Sequence, residues 1–220
     1  MTLIMFDMDG TLIDTHGLIA EHMASAFSAA GLPMPTPAEV RQIIGLSLPV
    51  AIAQLAQTEH SAVIDPLVES YKSHYRVSLE RESGREPLFP GAREALDRLR
   101  PGPGNLLGIA TGKGLAGVNR ILRQHGLDGH FTTLQTPDHN PSKPHPGMLL
   151  RAMAETGSAP HEVVMIGDTV FDIELAKAAG VMSIGVGWGY HERKDLLQAG
   201  ADTLIESFDE LDAAIAEVLE

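Results

Sequence analysis

The strongest constraint on the fold is the alternation of short apolar runs with helical patterns along residues 87–220. Apolar runs of this length predict buried strands, and a further run begins the chain. The predicted strands are residues 3–6, 106–110, 131–135, 163–166 and 183–186. The last helix is predicted to begin at Ser207, where Glu210 three residues later indicates a capping box. Because strands that alternate with helices form parallel sheets, the pattern predicts an α/β fold with a doubly wound, Rossmann-like parallel sheet.

Residues 15–86 differ from the rest of the chain, because they show helical patterns and no strand pattern. The predicted helices are residues 18–30, 37–44, 48–57 and 62–79, with helical stretches continuing to about Glu82. The apolar residues of the first helix recur at the spacing of one helical face. We therefore predict a core domain formed by residues 1–14 and 87–220, and an inserted all-helical domain formed by residues 15–86.

Composition excludes several classes of function. The formal net charge of −13 disfavours nucleic acid as a partner, because phosphate backbones bind basic surfaces. The chain has no cysteine, which excludes disulfides and thiol catalysis. No apolar run has the length of a membrane span, and the first residues turn acidic too early for a signal peptide. These features predict a soluble, cytoplasmic protein that does not bind membranes.

Polar segments follow the predicted strands at four places. The segments are Asp7-Met8-Asp9-Gly10-Thr11, Thr111-Gly112-Lys113, Lys143-Pro144, and Gly167-Asp168-Thr169 with Asp172. Parallel α/β sheets bind their ligands beyond the carboxyl ends of the strands. We therefore expect the four segments to converge at one edge of the sheet and to form a site for phosphate chemistry.

The carboxylates of these segments predict a metal site. Asp7 and Asp9 are two residues apart, so both side chains leave an extended backbone on the same side. Asp172 lies four residues after Asp168 and faces the same way from a first helical turn. Crowded carboxylates favour a divalent hard cation, and Mg²⁺ prefers such oxygen ligands. The alternatives are an ordinary turn at the first pair and a helix cap at Asp168 or Thr169, although a cap leaves Asp172 unexplained.

The remaining segments predict an anion site. Thr111 and the Gly112 amide precede a helix, and free amides at a helix N-terminus bind anions. Lys143 lies on a loop held by Pro141 and Pro144, where an ammonium can neutralise phosphoryl charge at a fixed point. The alternatives are a plain N-cap threonine and a solvated lysine.

The four segments together resemble the motifs of the haloacid dehalogenase superfamily, with a helical cap domain inserted after the first motif. Within it, the chain is most similar to the phosphoglycolate-phosphatase-like group. The short sequence motifs that support this similarity are Asp14-Thr15, Phe89-Pro90-Gly91, Ala176-x-x-Ala179-Gly180 and Gly185-Val186-x-Trp188-Gly189-Tyr190. The resemblance covers essentially the whole chain, and it indicates metal-dependent phosphotransfer more firmly than any one substrate.

The resemblance implies roles for the motif residues. Asp7, ionised at pH 7 without help, attacks phosphorus and forms an aspartyl-phosphate intermediate. Asp9 protonates the leaving alkoxide and then deprotonates the water that hydrolyses the intermediate. The implied Mg²⁺ ligands are Asp7, the Asp9 main-chain carbonyl and Asp168, with Asp172 acting through a water or from behind these ligands. The implied phosphate-binding groups are Thr111, Gly112 and Lys143.

The favoured function is hydrolysis of a small phosphorylated metabolite, with phosphoglycolate as the leading candidate by resemblance. Dehalogenating relatives lack an aspartate at the position of Asp9, which disfavours dehalogenation. Sugar phosphomutases typically have a histidine where this chain has Ile19, and an arginine where residues 45–47 lead into Leu48. A phosphonate-cleaving enzyme would need a cap lysine, for which Lys72 is the candidate. Mutase, pyrophosphatase and, least favoured, a non-enzymatic phosphate-binding module remain alternatives.

Specificity is predicted to come from the cap domain. His16 lies at the expected hinge between the domains, and Arg41 and Ser47 flank the cap loop that should close over the site. These three residues are the candidates for substrate contacts. The sequence does not indicate an oligomeric state.

Overall fold

The computed structural model describes residues 1–81, 86–100 and 104–220, and it confirms the doubly wound parallel sheet. The six strands are β1 (Thr2–Phe6), β2 (Asn105–Ala110), β3 (Thr133–Gln135), β4 (Val163–Gly167), β5 (Met182–Val186) and β6 (Thr203–Ile205). Their order is β3-β2-β1-β4-β5-β6, and each neighbouring pair is parallel. The first strand therefore lies between β2 and β4, and the order reverses at β1.

The helices fall into two groups. Between β1 and Glu86 the described helices are α1 (His16–Ala29), α2 (Pro37–Arg41), α3 (Leu48–Ala56) and α4 (Ser61–Arg81). Those that follow are α5 (Ala92–Leu99), α6 (Leu115–Gln124), α7 (Gly147–Thr156), α8 (Val170–Ala179), α9 (Arg193–Ala199) and α10 (Leu211–Leu219).

The sheet is covered on both faces, which explains why its strands are apolar runs rather than alternating patterns. Along β1, Ile4 and Phe6 belong to one buried cluster, whereas Leu3 and Met5 belong to the cluster on the opposite face. All four side chains have no exposed surface. This burial fixes the direction of β1 and carries its carboxyl end to the middle of the sheet edge.

The first group of helices has an apolar core of its own. Met23 and Phe27 of α1 pack with Ile52 of α3 and Leu67 of α4 in a third cluster, which is separate from the two beside the sheet. No strand occurs among the described residues of 15–81. The helical insertion is therefore as expected, while the domain boundaries at 14/15 and 86/87 remain predictions. The expected helix end near Glu82 lies outside the described residues.

Several predicted boundaries were wrong. The predicted helix 37–44 ends earlier, as α2 at Arg41, because the amides of Gln42 and Ile43 donate to carbonyls three residues back, and the chain then turns through Gly45 at φ +102°. The short elements α9 and β6 were not predicted, since seven and three residues give too little pattern. The capping box at Ser207 does not form: a 3₁₀ turn at Phe208–Glu210 precedes α10, and the Ser207 hydroxyl donates to Glu210 instead.

Candidate active site

The carboxyl ends of the three central strands bring the predicted residues together. Asp7 follows β1, Thr111 follows β2 and Asp168 follows β4, and these strands are neighbours in the sheet. The Lys143 ammonium reaches this edge from its loop and lies 3.1 Å from Asp7 Oδ1. Lys143 is only 1% exposed, so it is not the solvated lysine of the alternative interpretation. The structure therefore places these four residues at one edge of the sheet.

Three carboxyl groups share one buried position. One oxygen from each of Asp7, Asp168 and Asp172 lies within 4.8 Å of the others, and none of the three residues has exposed surface. Lys143 Nζ donates to Asp172 Oδ1 at 2.5 Å, which supplies a single positive charge to the group. The remaining oxygen of Asp7, Oδ2, is buried and has no hydrogen-bond partner among the described residues.

Burial changes the acidity of the site. Loss of hydration raises the pKa of Asp7 to about 7, even though the Lys143 ammonium lowers it. Loss of hydration also holds the pKa of Asp168 well above its ordinary value, and the charges of Asp172 and Asp7 act in the same direction. Burial therefore opposes ionisation of the Asp7 carboxyl in the protein alone. The sequence expectation did not include this effect, because the sequence does not show how completely the carboxyl is buried.

Asp172 makes two sets of contacts through its carboxylate. Its Oδ2 accepts hydrogen bonds from the Thr169 amide and hydroxyl, which forms a capping box at the start of α8. Its Oδ1 binds Lys143. A helix cap therefore does explain Asp172, contrary to the sequence argument. The same hydrogen bonds fix its carboxylate beside the other two.

Glycines allow the segments to approach this closely. Gly10 has φ +93°, and a Cβ at this position would lie 2.1 Å from Asp168 Oδ2. A Cβ at Gly112 would lie 2.3 Å from the Leu46 carbonyl oxygen of the cap domain. Both positions therefore need a residue without a side chain, one for the turn after Asp7 and one for the approach of the cap loop.

The three cap candidates lie near the site without lining its cavity. Arg41 donates from Nη2 to the Gly189 carbonyl at 3.1 Å and from Nε to the Tyr190 carbonyl, so it ties α2 to the core. The Ser47 amide donates to Ser142 Oγ at 2.9 Å. His16 packs on Tyr190, with ring centroids 5.6 Å apart. The structure gives these residues contacts between cap and core, and their predicted effect on specificity stays a prediction.

A cavity of about 680 Å³ opens between the cap helices and the carboxyl edge of the sheet. Asp7, Asp9, Thr111 and Gly112 line its core side, and apolar residues of α1 and α3 line much of its cap side. Its size lies in the range of small-molecule sites.

Four residues that the sequence interpretation did not select form a charged cluster beside Asp9. Lys113 Nζ lies 3.2 Å from Asp9 Oδ1 and 4.0 Å from Glu86 Oε1. Arg120 donates to both oxygens of Glu86, and the Tyr75 hydroxyl donates to the same carboxylate. Lys113 belongs to the segment Thr111-Gly112-Lys113, and its position directly after Gly112 was the only signal for it in the sequence. The sequence contains no signal for Tyr75, Glu86 and Arg120, because their contact depends on the packing of α4 on α6.

In the part of the chain that the structure describes, no helix is both long and apolar enough to cross a membrane.

The fold and the site define the class of this protein: a parallel α/β sheet with buried aspartates at its carboxyl edge and a helical insertion after the first strand. Residues 4–186 match the family model of haloacid dehalogenase-like hydrolases. Because the match covers most of the chain, the protein belongs to that family, and the resemblance found in the sequence is confirmed.

Curated and solved relatives agree with this assignment. The chain is 34% identical to "Probable phosphatase IndB" of Dickeya dadantii, covering 99% of this chain and 94% of that protein. It is 32% identical to a phosphoglycolate phosphatase of Agrobacterium fabrum, covering 99% and 93%. A hydrolase from Pseudomonas syringae superposes with a TM-score of 0.86 at 26% identity, covering 99% of each chain. A candidate β-phosphoglucomutase from Bacteroides vulgatus has a TM-score of 0.84 at 22% identity, with coverage of 100% and 90%, which shows the shared fold alone.

Proposed function

We propose that this protein is a Mg²⁺-dependent phosphatase that hydrolyses a small phosphomonoester, with Asp7 as the nucleophile. The observation that carries the proposal is the Asp7 carboxyl, which lines the cavity and keeps Oδ2 free of hydrogen bonds from the described residues. Its other oxygen, Oδ1, is held by Lys143 and the Met8 amide. One oxygen is thus fixed and the other is left for the phosphorus atom.

The reaction has two steps. Asp7 attacks phosphorus, the bond from phosphorus to the ester oxygen breaks, and Asp9 gives its proton to the leaving alkoxide. Asp9, now a carboxylate, takes a proton from the water that attacks the phosphorus of the aspartyl phosphate. The bond between phosphorus and Asp7 then breaks, and inorganic phosphate leaves. Phosphoryl transfer of this kind needs mainly positioning and charge neutralisation.

Three groups would bind the phosphoryl oxygens. Thr111 and the Gly112 amide lie at the end of β2, and Lys143 lies beside Asp7. An ammonium held in a dry position interacts more strongly with phosphoryl charge than a solvated one. The buried position of Lys143 supports this role.

The donor set fits Mg²⁺. The ligands would be the Asp7 carboxylate, the Asp9 main-chain carbonyl and Asp168, which are the hard oxygen donors that this ion prefers. Both oxygens of Asp172 accept hydrogen bonds from Thr169 or Lys143, so this residue would act through a water or from behind the ligands. When bound, the ion would neutralise part of the charge of the phosphoryl group and of the crowded carboxylates.

The substrate is proposed to be a small phosphorylated metabolite. Phosphoglycolate is the leading candidate, because several relatives at 28–34% identity carry the name phosphoglycolate phosphatase or phosphatase. The acidic composition supports a substrate other than nucleic acid. The absence of cysteine is compatible with the proposed cytoplasmic location, which is a reducing compartment.

A phosphatase is favoured over a phosphomutase. Ile19, at the position where mutases typically have a histidine, lines the cavity with an apolar side chain. An apolar group there offers nothing to bind a second phosphate for return transfer. Release of inorganic phosphate from a sugar phosphate, without formation of its isomer, is the expected result.

The test is turnover of a panel of small phosphate esters with Mg²⁺ and with a chelator. We expect hydrolysis only with the metal. Asp7→Asn should lower turnover by several orders of magnitude, because the nucleophile is lost. Asp128→Asn changes an exposed aspartate in the loop after α6 and is the matched control, with activity expected near that of the wild type. Full turnover in the chelator, or in Asp7→Asn, would contradict the proposal.

A further inference from the structure

Asp9 is held by two side chains, and both bind the same oxygen. Thr15 donates from Oγ1 to Asp9 Oδ1 at 2.5 Å, and Lys113 Nζ lies 3.2 Å from that atom. Among the described residues, no hydrogen bond reaches Oδ2. The carboxyl group therefore has one anchored oxygen and one oxygen that is free for proton transfer.

Lys113 is in turn held by Tyr75 of the cap helix α4 and by Glu86, which lies at the predicted boundary between cap and core. Its ammonium donates to the Tyr75 hydroxyl at 3.3 Å, lies 5.2 Å from the centre of the Tyr75 ring, and is 4.0 Å from Glu86 Oε1. Tyr75 belongs to the cap helix α4, and Glu86 follows the described part of that helix. The lysine side chain is only 12% exposed, so these contacts restrict it strongly.

Glu86 forms the centre of this anchor. It is 1% exposed, and Arg120 of α6 donates to both of its oxygens, one of them at 2.9 Å. The Tyr75 hydroxyl donates to the same carboxylate. A bidentate guanidinium–carboxylate pair has a fixed geometry, so core helix and cap helix are joined at a defined point. The position of Lys113 beside Asp9 therefore depends on the cap being packed on the core.

We propose that Lys113 is a positioning residue for the proton transfer by Asp9, and that Tyr75 and Glu86 hold it in place only when the cap is seated on the core. The inference rests on the proposed function, because it assigns to Lys113 an effect on the acid and base of that reaction. Docking of the cap would then complete the orientation of the Asp9 carboxyl. Misplacement of a reacting group by about 1 Å can cost about 100-fold in rate.

The experiment is a double-mutant cycle on kcat/KM, measured with an alkyl phosphate ester and Mg²⁺. The variants are Lys113→Met, Asp9→Asn and the two combined. If Lys113 acts through Asp9, we expect Lys113→Met to lower kcat/KM by about 10-fold to 100-fold in the wild type and by less than about twofold in Asp9→Asn. Lys113→Arg, which keeps the charge, should recover part of the loss.

Two matched variants test the anchor and the charge. Tyr75→Phe removes the hydroxyl that binds Lys113 and Glu86, and its smaller loss should also vanish in Asp9→Asn. Arg123→Met removes one positive charge from the exposed end of α6, and its kcat/KM should stay within about twofold in either background. Thermal unfolding of every variant shows whether it is folded, and Lys113→Gln replaces Lys113→Met in the cycle if the latter does not fold.

The outcomes distinguish a failure of this inference from a failure of the proposed function. An equal loss from Lys113→Met in both backgrounds overturns the inference, because the lysine would then act directly on substrate or on the fold. Wild-type kcat/KM in Asp9→Asn instead overturns the acid and base assigned under the proposed function. Loss of the Lys113 effect in Asp9→Asn supports both.

Discussion

The buried ammonium of Lys143 should be essential for stability, independently of catalysis. Its Nζ lies 2.5 Å from Asp172 Oδ1 and 3.1 Å from Asp7 Oδ1, and its side chain has no exposed surface. Lys143→Met would leave three buried carboxyl groups without a cation in the absence of metal. Removing one partner of a buried ion pair costs about 3–5 kcal/mol, because the remaining charge stays buried and unpaired.

This free energy can be converted to a melting temperature. A chain of this length shifts by about 2–4 °C per kcal/mol, so Lys143→Met should melt between about 6 and 20 °C below the wild type. The assay is thermal unfolding followed by circular dichroism in a chelator. Lys194→Met is the matched control, since Lys194 forms an ion pair with Glu192 in which both side chains are more than two-thirds exposed. Exposed pairs of this kind contribute about 0–1 kcal/mol.

The loss of stability in Lys143→Met should depend on pH in a defined direction. Asp7 has a folded pKa of about 7, above its ordinary value, so its ionisation opposes folding as the pH rises towards that value. Without Lys143 this opposition grows, and the deficit of Lys143→Met should be larger at about pH 8 than at about pH 6. Adding Asp172→Asn to Lys143→Met should restore part of the stability. A shift no larger than that of Lys194→Met would refute the reasoning, because it would show that loss of Lys143 leaves no unpaired buried charge.

The close approaches and the links between cap and core give two further predictions. Gly112→Ala would place a Cβ 2.3 Å from the Leu46 carbonyl oxygen, so we expect kcat/KM to fall about tenfold or more. Gly114→Ala is the control, because its Cβ would lie 3.5 Å from the nearest atom, and its kcat/KM should stay within about twofold of the wild type. Arg41→Met removes two hydrogen bonds from a guanidinium to core carbonyls, which contribute about 1.5–3 kcal/mol each. In limited proteolysis the cap of Arg41→Met should be cleaved faster than that of the wild type, while the melting temperature of the core stays unchanged. Cleavage at the wild-type rate would show that Arg41 does not hold the cap.

The sequence by itself determined the sheet and the positions of the main site residues. Apolar strands alternating with helices permit few arrangements other than a parallel sheet, and the polar residues directly after β1, β2 and β4 must then share its carboxyl edge. Asp7, Thr111 and Asp168 could therefore be selected from local pattern alone. Short elements such as β6 could not, because three residues carry no distinct periodicity.

Only the tertiary structure decided which partners these residues have. Arg41 binds carbonyls that lie 148 and 149 residues further along the chain, and Lys143 binds Asp172 across 29 residues. Such contacts depend on how the cap packs on the core and on how completely each side chain is buried. The physical reason is that local periodicity specifies strands and helices. Charge pairing and the pKa of Asp7 depend instead on the neighbours and the hydration of each group, and these are set only when distant segments of the chain pack together.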